Sequence, residues 1–292
     1  MNLVTRMDFD GIVCAAMLMD VESVPAINFA DPKDIEDGGL LDILHPGDII
    51  ANLPYHPDCG VWFHHHEVPA SEAAKIKARG KWGLAASSSR QVFDFYTKAK
   101  LGRYENLVGI ADRVSSAALT KEDILSPTGW IMVAYTLDPR FSKDYAFGME
   151  ILTGIKAGKD AAQILAIPTV AKRVELYKKD EATYQEMLDR YTSIDGNIII
   201  TDFREVDRAP TGNRFYAFTK YPEGNVHVRL DAASGLRIKL SVSKSIFNKS
   251  SKVHVGKLME EYGGGGPAGA GTCHVGRRTQ HERIPEILNK LR

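Results

Sequence analysis

The feature that most constrains the fold of this chain is a series of short apolar runs, each followed at once by polar residues. Four such runs, NLVT, SVPAINFA, GDIIANL and GVWF, occur before residue 64. A helix-like stretch, DGIVCAAMLMDV, separates the first two, and a helical pattern resumes from Leu84 to Leu101. Buried strands that alternate with helices predict a parallel sheet covered by helices on both faces. We therefore predict an α/β fold for the first half of the chain.

A change of pattern divides the 292 residues, a length that suits one large domain or two ordinary ones. A charged stretch, AKRVELYKKDEATYQEMLDRY, has the polarity of a helix that bridges two domains. After it, NIIITDF, RFYAFTKY, NVHVRLDA and LRIKLSVS read as strands, and KVHVGKLMEEYG and HERIPEILNKLR read as helices. We predict a first domain over residues 1–160, a linker helix over 161–192 and a smaller α/β domain over 193–292.

The composition argues against several classes of protein. The 37 Lys and Arg residues equal the 37 Asp and Glu residues, so no overall field favours nucleic acid or a membrane surface. Three widely spaced cysteines argue against a disulfide framework and suggest a reducing compartment. No apolar run approaches the ~20 residues of a membrane span, and the N-terminus lacks the apolar core of a signal peptide. We expect a soluble cytoplasmic protein.

Polar residues that suit metal binding follow several of the predicted strands. Asp8 and Asp10 follow NLVT, Asn52 follows DIIA, His64–His66 follow VWF, and Asp112 follows LVGIA. Ligands of parallel sheets bind at the carboxyl ends of the strands, so these side chains are expected to converge on one crevice. Carboxylates and imidazoles together suit divalent ions such as Mg²⁺, Mn²⁺, Co²⁺ or Zn²⁺. Two such ions about 4 Å apart can hold both the attacking and the leaving oxygen of a phosphoryl transfer.

A glycine run, YGGGGPAGAGTC, is the second unusual feature of the sequence. By composition alone it reads as a flexible linker. However, a helix-like segment precedes it, and the region from Lys244 to Arg292 carries nine Lys or Arg residues against four Glu. Because glycines let backbone N–H groups approach a phosphate closely, this region is expected to bind an anionic ligand.

In this order and spacing, VTRMDFDG, FHHHE, IAD and YGGGGPAGAG resemble the motifs of the Asp-His-His (DHH) phosphoesterase superfamily. The resemblance covers nearly the whole chain. It implies a catalytic DHH domain, followed by a DHH-associated substrate domain, and a centre that prefers Mn²⁺ and is usually binuclear. It also implies that a metal-bound hydroxide attacks phosphorus. Members include exonucleases, oligoribonuclease-type enzymes, cyclic-dinucleotide phosphodiesterases and exopolyphosphatases, so the motifs identify the superfamily without identifying the substrate.

The resemblance also assigns roles to individual residues. It implies that the metal ligands are Asp8, Asp10, His65 and Asp112. It implies that His66 and Asp10 are the catalytic residues. The substrate-binding residues implied are Arg6, His66, Gly264, Gly265 and Gly266. The implied cofactor is one or two Mn²⁺, with Mg²⁺ or Co²⁺ as alternatives, and homodimers are common among relatives.

Four positions depart from the superfamily pattern. Arg6 stands where a His is usual, Asn52 where many members have Asp, His64 in place of the Asp of Asp-His-His, and Pro267 in place of a His. Arginine stays protonated and cannot bind a metal, and asparagine is a weaker ligand than aspartate. A centre that has lost negative charge at two positions is expected to hold divalent ions less tightly.

These departures leave two hypotheses for function. In the first, the chain is a metal-dependent phosphoesterase that hydrolyses a phosphodiester or phosphoanhydride in a short oligonucleotide, nucleotide or polyphosphate. In the second, the site is catalytically degenerate, and the chain binds a nucleotide, polyphosphate or protein partner without hydrolysis. A third interpretation, a structural zinc site built from His56, Cys59 and His64–His66, leaves the three aspartates unexplained.

Overall fold

A computed structural model describes residues 1–36, 38–39, 43–138 and 144–292 of the chain. The chain forms two compact units, Met1–Tyr177 and Lys178–Arg292. The boundary between them falls inside a long helix, Pro168–Tyr191, which occupies most of the stretch predicted to be a linker. The predicted α/β class is confirmed, because each unit combines helices with one five-stranded sheet.

The first unit contains a parallel sheet whose strand order is β2-β1-β3-β4-β5. Its strands are β1 (Leu3–Thr5), β2 (Ile27–Phe29), β3 (Ile49–Ala51), β4 (Val61–Phe63) and β5 (Arg79–Lys81). Its helices are α1 (Phe9–Val21), α2 (Pro32–Glu36), α3 (Ala70–Ala73), α4 (Ser88–Tyr96), α5 (Lys98–Leu101), α6 (Glu105–Ser115), α7 (Lys121–Leu125), α8 (Gly129–Thr136), α9 (Tyr145–Lys156), α10 (Ala161–Leu165) and α11 (Pro168–Tyr191), with a 3₁₀ turn at Gly102–Tyr104.

Both faces of this sheet are buried at the three central strands β1, β3 and β4, which explains why these strands read as continuous apolar runs. Successive strand residues point to opposite faces. Leu3 and Phe63 pack into the core on one face together with α1. Val4 and Trp62 pack into a second core on the other face. Helix α1 is buried along its first ten residues, as expected of a helix that is apolar on all sides.

The second unit contains a mixed sheet with the order β10-β9-β8-β7-β6. Its strands are β6 (Thr192–Asp195), β7 (Ile198–Phe203), β8 (Val226–Ala233), β9 (Arg237–Lys244) and β10 (Ala270–Gly276), of which only the pair β7 and β8 is parallel. Its further helices are α12 (Tyr216–Lys220), α13 (Val255–Glu260) and α14 (Gln280–Leu291). Within the described residues of both units, no helix is at once long enough and apolar enough to cross a membrane.

Three local predictions were wrong. The run LVGIA forms part of α6, because Leu107, Val108 and Ala111 lie on one helical face and are buried. The run RFYAFTKY contains α12, whose Ala217 and Phe218 are buried. Short apolar runs of this kind do not distinguish a strand from a buried helix by periodicity. Strand β10 was also missed, because it begins inside the glycine-rich stretch and exists through its pairing with β9.

His227 gives the second unit a specific dependence on pH. Its Nε2 lies 2.8 Å from the Oγ1 of Thr201, and its ring packs edge-on against Phe218. Burial, assisted by the nearby Arg229 charge, lowers the pKa of His227 to about 4 from an ordinary value of 6.5. Between about pH 6.5 and pH 4, His227 binds a proton in the unfolded chain but stays neutral in the folded chain. The free energy of unfolding therefore falls as the pH drops through this range.

We expect the titration of His227 to lower the free energy of unfolding by about 3 kcal/mol over that pH range. The matched variant His227→Gln keeps a hydrogen-bonding group near Thr201 but does not titrate. Urea unfolding of both proteins at pH 7 and pH 4 measures the difference directly. Equal losses in wild type and variant would show that His227 does not contribute to the pH dependence.

Candidate active site

The strand register brings three of the predicted segments to one edge of the first sheet. Thr5 of β1 pairs with Ala51 of β3, which pairs with Phe63 of β4, so the three strands end level with one another. The residues that follow them begin the segments containing Asp8, Asn52 and the His64–His66 run. The predicted convergence of these segments is therefore present in the structure.

The two aspartates of the first segment lie at the start of α1 and play different structural parts. Asp8 is the N-cap, and its Oδ1 accepts a hydrogen bond of 2.9 Å from the backbone N–H of Gly11. Asp10 is only 2% exposed. Its two oxygens accept bonds of 2.8 Å from the backbone N–H groups of Ser88 and Ser89, in the first turn of α4. The N-terminus of α4 thus stabilises a buried carboxylate, as helix N-termini stabilise anions.

The environment nevertheless opposes the charge on these aspartates. Burial, together with the neighbouring charge of Asp8, raises the pKa of Asp10 to about 7 against the lowering effect of the α4 amides. Burial also raises the pKa of Asp8, opposed chiefly by the Arg6 guanidinium. A cation placed between the two carboxylates would favour their charged forms.

A directed chain of hydrogen bonds joins Asp8 to His65. The Nδ2 of Asn52 donates to the Oδ1 of Asp8 over 2.8 Å, and the hydroxyl of Ser88 lies 3.2 Å from the Oδ1 of Asn52. The same hydroxyl lies 2.8 Å from the Nδ1 of His65. An ionised Asp8 only accepts, so Asn52 presents its oxygen to Ser88, and the Ser88 proton points toward Asn52. Ser88 then accepts from His65, whose proton is on Nδ1 and whose lone pair is on Nε2.

Asn52 occupies this central position in an unusual backbone conformation. Its φ of 59° lies in the left-handed region, which asparagine adopts more readily than most residues. Its backbone N–H donates to the carbonyl of Phe63 over 3.0 Å, which ties the ends of β3 and β4 together. Many superfamily members have aspartate at this position. Asn52 therefore contributes an N–H donor to Asp8 in place of a further negative charge.

Removing the Ser88 hydroxyl is expected to leave His65 free to adopt either neutral tautomer. In Ser88→Ala, the Nδ1 of His65 loses its 2.8 Å partner, while the backbone N–H that holds Asp10 is kept. Loss of a group that orients a ligating histidine typically costs about 10- to 100-fold in metal affinity or activity. Long-range ¹H–¹⁵N NMR of the imidazole reports the tautomer. In Ser126→Ala, which loses a hydroxyl at an exposed position after α7, the His65 spectrum should stay unchanged; equal spectra in all three proteins would contradict the assignment.

The other two histidines of the run lie in different surroundings. His64 stacks on Trp62 with ring centroids 5.3 Å apart, and burial lowers its pKa to about 4. His66 is exposed, and its ring centroid lies 4.1 Å from that of His65. Burial lowers the pKa of His65 to about 3, and partial desolvation, together with the Arg6 charge, lowers that of His66. The three imidazoles are therefore held in the neutral form that can bind a metal or accept a proton.

Arg6 contacts the free oxygen of the first aspartate. Its Nε lies 3.4 Å from the Oδ2 of Asp8. In the described part of the chain, this buried Nε has no hydrogen-bond partner. Arg6 thus places a fixed positive charge where the superfamily pattern has a histidine, and its guanidinium lies beside the carboxylates with donor capacity to spare.

Asp112 lies apart from this hydrogen-bonded group, inside α6 rather than at the end of a strand. Its Oδ1 accepts from the hydroxyl of Ser87 over 2.6 Å. Its Oδ2 accepts from the Nε and Nη2 of Arg90, over 3.0 and 2.6 Å. Both oxygens accept hydrogen bonds, as metal-ligating carboxylates commonly do, so the role of Asp112 as a metal ligand stays a prediction.

The first turn of α4 is the part of the site that sequence reasoning missed. Ser87 to Arg90 contact Asp10, Asn52, His65 and Asp112 through backbone and side-chain groups. The only sequence signal was SSSR before an apolar run, which indicates a helix N-cap. Ser87 does cap α4, since its hydroxyl accepts from the N–H of Arg90 over 3.0 Å.

The donor chemistry of Asp8, Asp10 and His65 fits a divalent cation. Two neighbouring carboxylates and a neutral imidazole are ligand types that suit a divalent ion such as Mn²⁺. Across the described residues, no three His, Cys, Asp or Glu side chains are close enough to hold a metal as they stand, so loading requires side-chain movement. The same observation gives no support to the zinc site at His56 and Cys59.

The glycine run of the second unit is built for close packing. The N–H groups of Gly263, Gly264 and Gly265 donate to the carbonyls of Glu260, Met259 and Thr272 over 2.9 to 3.0 Å. A Cβ on Gly264 would lie 2.0 Å from the Thr272 oxygen, and one on Gly266 would lie 2.3 Å from the Ala270 oxygen. The expected cradle of free amides is therefore wrong for the first three glycines. Substrate binding at Gly264–Gly266 stays a prediction without that mechanism.

Comparison with known proteins places these observations in context. No family model and no curated protein matches the chain. Among solved structures, the pGpG-specific phosphodiesterase PggH from Vibrio cholerae is 31% identical, with a TM-score of 0.83 over 99% of this chain and 98% of the other.

Two more distant structures share the fold. An exopolyphosphatase-related protein from Bacteroides fragilis is 12% identical, with a TM-score of 0.54 over 99% of this chain and 92% of that protein. The exonuclease RecJ, crystallised with manganese, is 10% identical, with a TM-score of 0.52 over 99% of this chain and 89% of that protein.

Proposed function

Because this chain belongs to the DHH phosphoesterase superfamily, whose fold it carries over its whole length, we propose that it is a metal-dependent phosphodiesterase acting on a linear dinucleotide such as pGpG. The observation that carries this proposal is the convergence of Asp8, Asp10 and His65 at the carboxyl edge of the first sheet. The 31% identity to a pGpG-specific phosphodiesterase over 99% of the chain supports the choice of substrate.

In this proposal, Asp8, Asp10 and His65 hold the divalent cation, with Mn²⁺ as the preferred ion. When bound, the cation acts as a Lewis acid and lowers the pKa of a coordinated water toward neutrality. The α4 amides keep the Asp10 carboxylate oriented, and the chain through Asn52 and Ser88 engages Nδ1 of His65, which leaves the Nε2 lone pair for the cation.

Arg6 and His66 are assigned to the phosphate group. The Arg6 guanidinium lies next to the carboxylates and supplies positive charge to a phosphoryl oxygen. His66 is exposed and neutral, so it can accept a proton on the solvent side of the site. Asp112, which pairs with Arg90, is left as a predicted ligand for a second cation.

A metal and product assay tests this proposal. The protein is incubated with Mn²⁺, desalted and analysed for metal by inductively coupled plasma mass spectrometry, beside a variant carrying Asp8→Ala and Asp10→Ala. Conversion of pGpG to GMP is followed by chromatography with Mn²⁺, with Mg²⁺ and after EDTA. We expect about one Mn²⁺ per wild-type chain and EDTA-sensitive GMP release, both lost in the variant.

Each failure of this assay has its own meaning. Saturable pGpG binding without GMP release under any metal would support the degenerate alternative, in which Arg6 and Asn52 have disabled hydrolysis. Release of GMP that resists EDTA would contradict metal dependence. A homodimer and a cytoplasmic location stay predictions, and light scattering of the same preparation measures the first of them.

A further inference from the structure

A cavity of about 780 Å³ lies in the first unit beside the histidine run. It is bounded by the loop after β3, the end of β4 and the segment around α3. Tyr55, Trp62, His64 and Pro69 contribute to its walls. Its volume falls in the range of protein sites that bind small organic ligands. None of the roles assigned above to metal, water or phosphate uses this cavity.

The walls of the cavity are organised around one aromatic group. The rings of Trp62 and His64 are stacked at an interplanar angle of 16°. Tyr55 meets Trp62 edge to face at 5.3 Å between centroids, and Trp82 packs on it at 5.5 Å. Trp62 is only 1% exposed and Trp82 does not line the cavity, so these two rings support the aromatic surface that Tyr55 and His64 present to it. Aromatic surfaces bind planar rings by offset stacking and edge-to-face contact.

A polar group in the wall remains unused. In the part of the chain that the structure describes, the Nδ1 of His64 is buried and has no hydrogen-bond partner. Because this nitrogen is closed to solvent, a ligand reaches it only when the His64 ring turns, and that turn gives a partnerless polar atom a hydrogen bond. The favoured ligand is therefore planar and carries hydrogen-bonding groups at its edge.

The charges on the lining do not favour a simple polyanion. Glu67 and Glu72 balance Lys75 and Lys77, so the cavity has no net positive charge among these four groups. A polyphosphate chain has neither a planar surface for the aromatic walls nor any apolar part. A nucleobase has both, together with ring nitrogens and exocyclic groups at its edge.

The cavity adjoins the candidate active site, because His64 both lines it and belongs to the histidine run. The ring centroid of His64 lies 5.7 Å from that of His65 and 5.0 Å from that of His66. A molecule with a phosphate at His65 and His66 can therefore place an attached aromatic group against the far side of His64. Resting on the proposed function, we propose that this cavity binds the nucleobase of the substrate and makes the enzyme specific for nucleotides over polyphosphate.

The test fills the cavity and compares substrates with and without a base. In Val68→Trp, an indole is introduced at a lining position, and the matched control Leu125→Trp adds the same group at an exposed position of α7. We expect Val68→Trp to lower kcat/KM for pGpG at least tenfold and to leave kcat/KM for its abasic analogue unchanged. Leu125→Trp should change neither. Equal effects on both substrates, or no effect on pGpG, would overturn the proposal.

Calorimetry with guanosine separates this proposal from the proposed function, because the nucleoside has no phosphate. Wild type should bind guanosine, and Val68→Trp should not. His64→Phe keeps the stack on Trp62 but lacks Nδ1, so its guanosine affinity should fall about fivefold or more; it serves as the second variant if Val68→Trp unfolds. Guanosine binding without any hydrolysis of pGpG would refute the phosphodiesterase proposal and support the nucleobase-binding cavity. Hydrolysis of pGpG by a protein with no affinity for guanosine would support the phosphodiesterase proposal and refute the nucleobase-binding cavity.

Discussion

Asp10→Asn is expected to lower kcat/KM for the dinucleotide by at least about a hundredfold, because even groups that only orient metal ligands contribute about 10- to 100-fold. The substitution replaces one acceptor oxygen of Asp10 with an NH₂ group. That NH₂ must face one of the two backbone N–H donors, from Ser88 or Ser89, that now lie 2.8 Å from the carboxylate. The expected structural cost is about 1–3 kcal/mol, which leaves the protein folded.

The matched control for this variant is Asp94→Asn, in the same helix that holds Asp10. Asp94 pairs with Lys81 at an exposed position, where an ion pair contributes about 0–1 kcal/mol. Steady-state kinetics, bound Mn²⁺ and thermal unfolding are measured for both variants. Asp94→Asn should keep activity within about twofold. Unchanged turnover in Asp10→Asn would remove Asp10 from the catalytic machinery.

The second large effect is expected from a single methyl group at Gly11. A Cβ at this position would lie 1.9 Å from the carbonyl oxygen of Arg6 and 2.9 Å from the hydroxyl of Thr5. The first contact is with backbone, which cannot rotate away, so the start of α1 must move. We expect Gly11→Ala to lower the free energy of unfolding by about 3 kcal/mol or more. Activity should fall with it, because the same turn carries Asp8 and Asp10.

Gly109→Ala is the control for this variant, because here the added methyl group is expected to raise the free energy of unfolding. Gly109 lies inside α6, and an added Cβ would meet no atom within 4 Å. Alanine is favoured over glycine in a helix by about 1 kcal/mol, so this variant should be slightly more stable than wild type. Urea denaturation of both variants gives the comparison. A Gly11→Ala protein as stable as Gly109→Ala would show that the α1 turn tolerates the methyl group.

The part of the site that follows strand ends was predictable from the sequence. Asp8, Asn52 and His65 each come just after a short apolar run, and parallel strands bring their carboxyl ends to one edge whatever the loops between them. The α/β class followed from the same runs. Their near-continuous apolar character reflects burial on both faces of the sheet.

The rest depended on contacts that no local pattern records. Ser88 acts through partners 23, 36 and 78 residues away, so its own neighbourhood indicated only a helix cap. Asp112 was placed after a strand because LVGIA is too short to show a helical period. Its ion pair with Arg90 also depends on how α4 and α6 pack. The glycines of the second unit were assigned to phosphate, although Gly264 and Gly266 are required by backbone approach within the unit.

The hydrogen-bond partners of Asp10 also bear on when this site can form during folding. The amides that hold its carboxylate belong to residues 78 and 79 positions further along the chain. A nascent chain that has not yet released Ser88 and Ser89 from the ribosome therefore carries Asp10 without its anchors. Closing so long a loop has an entropic cost that only the packed sheet and helices offset. In the proposed function, a cation would therefore meet its complete ligand set only after Ser88 and Ser89 have reached Asp10.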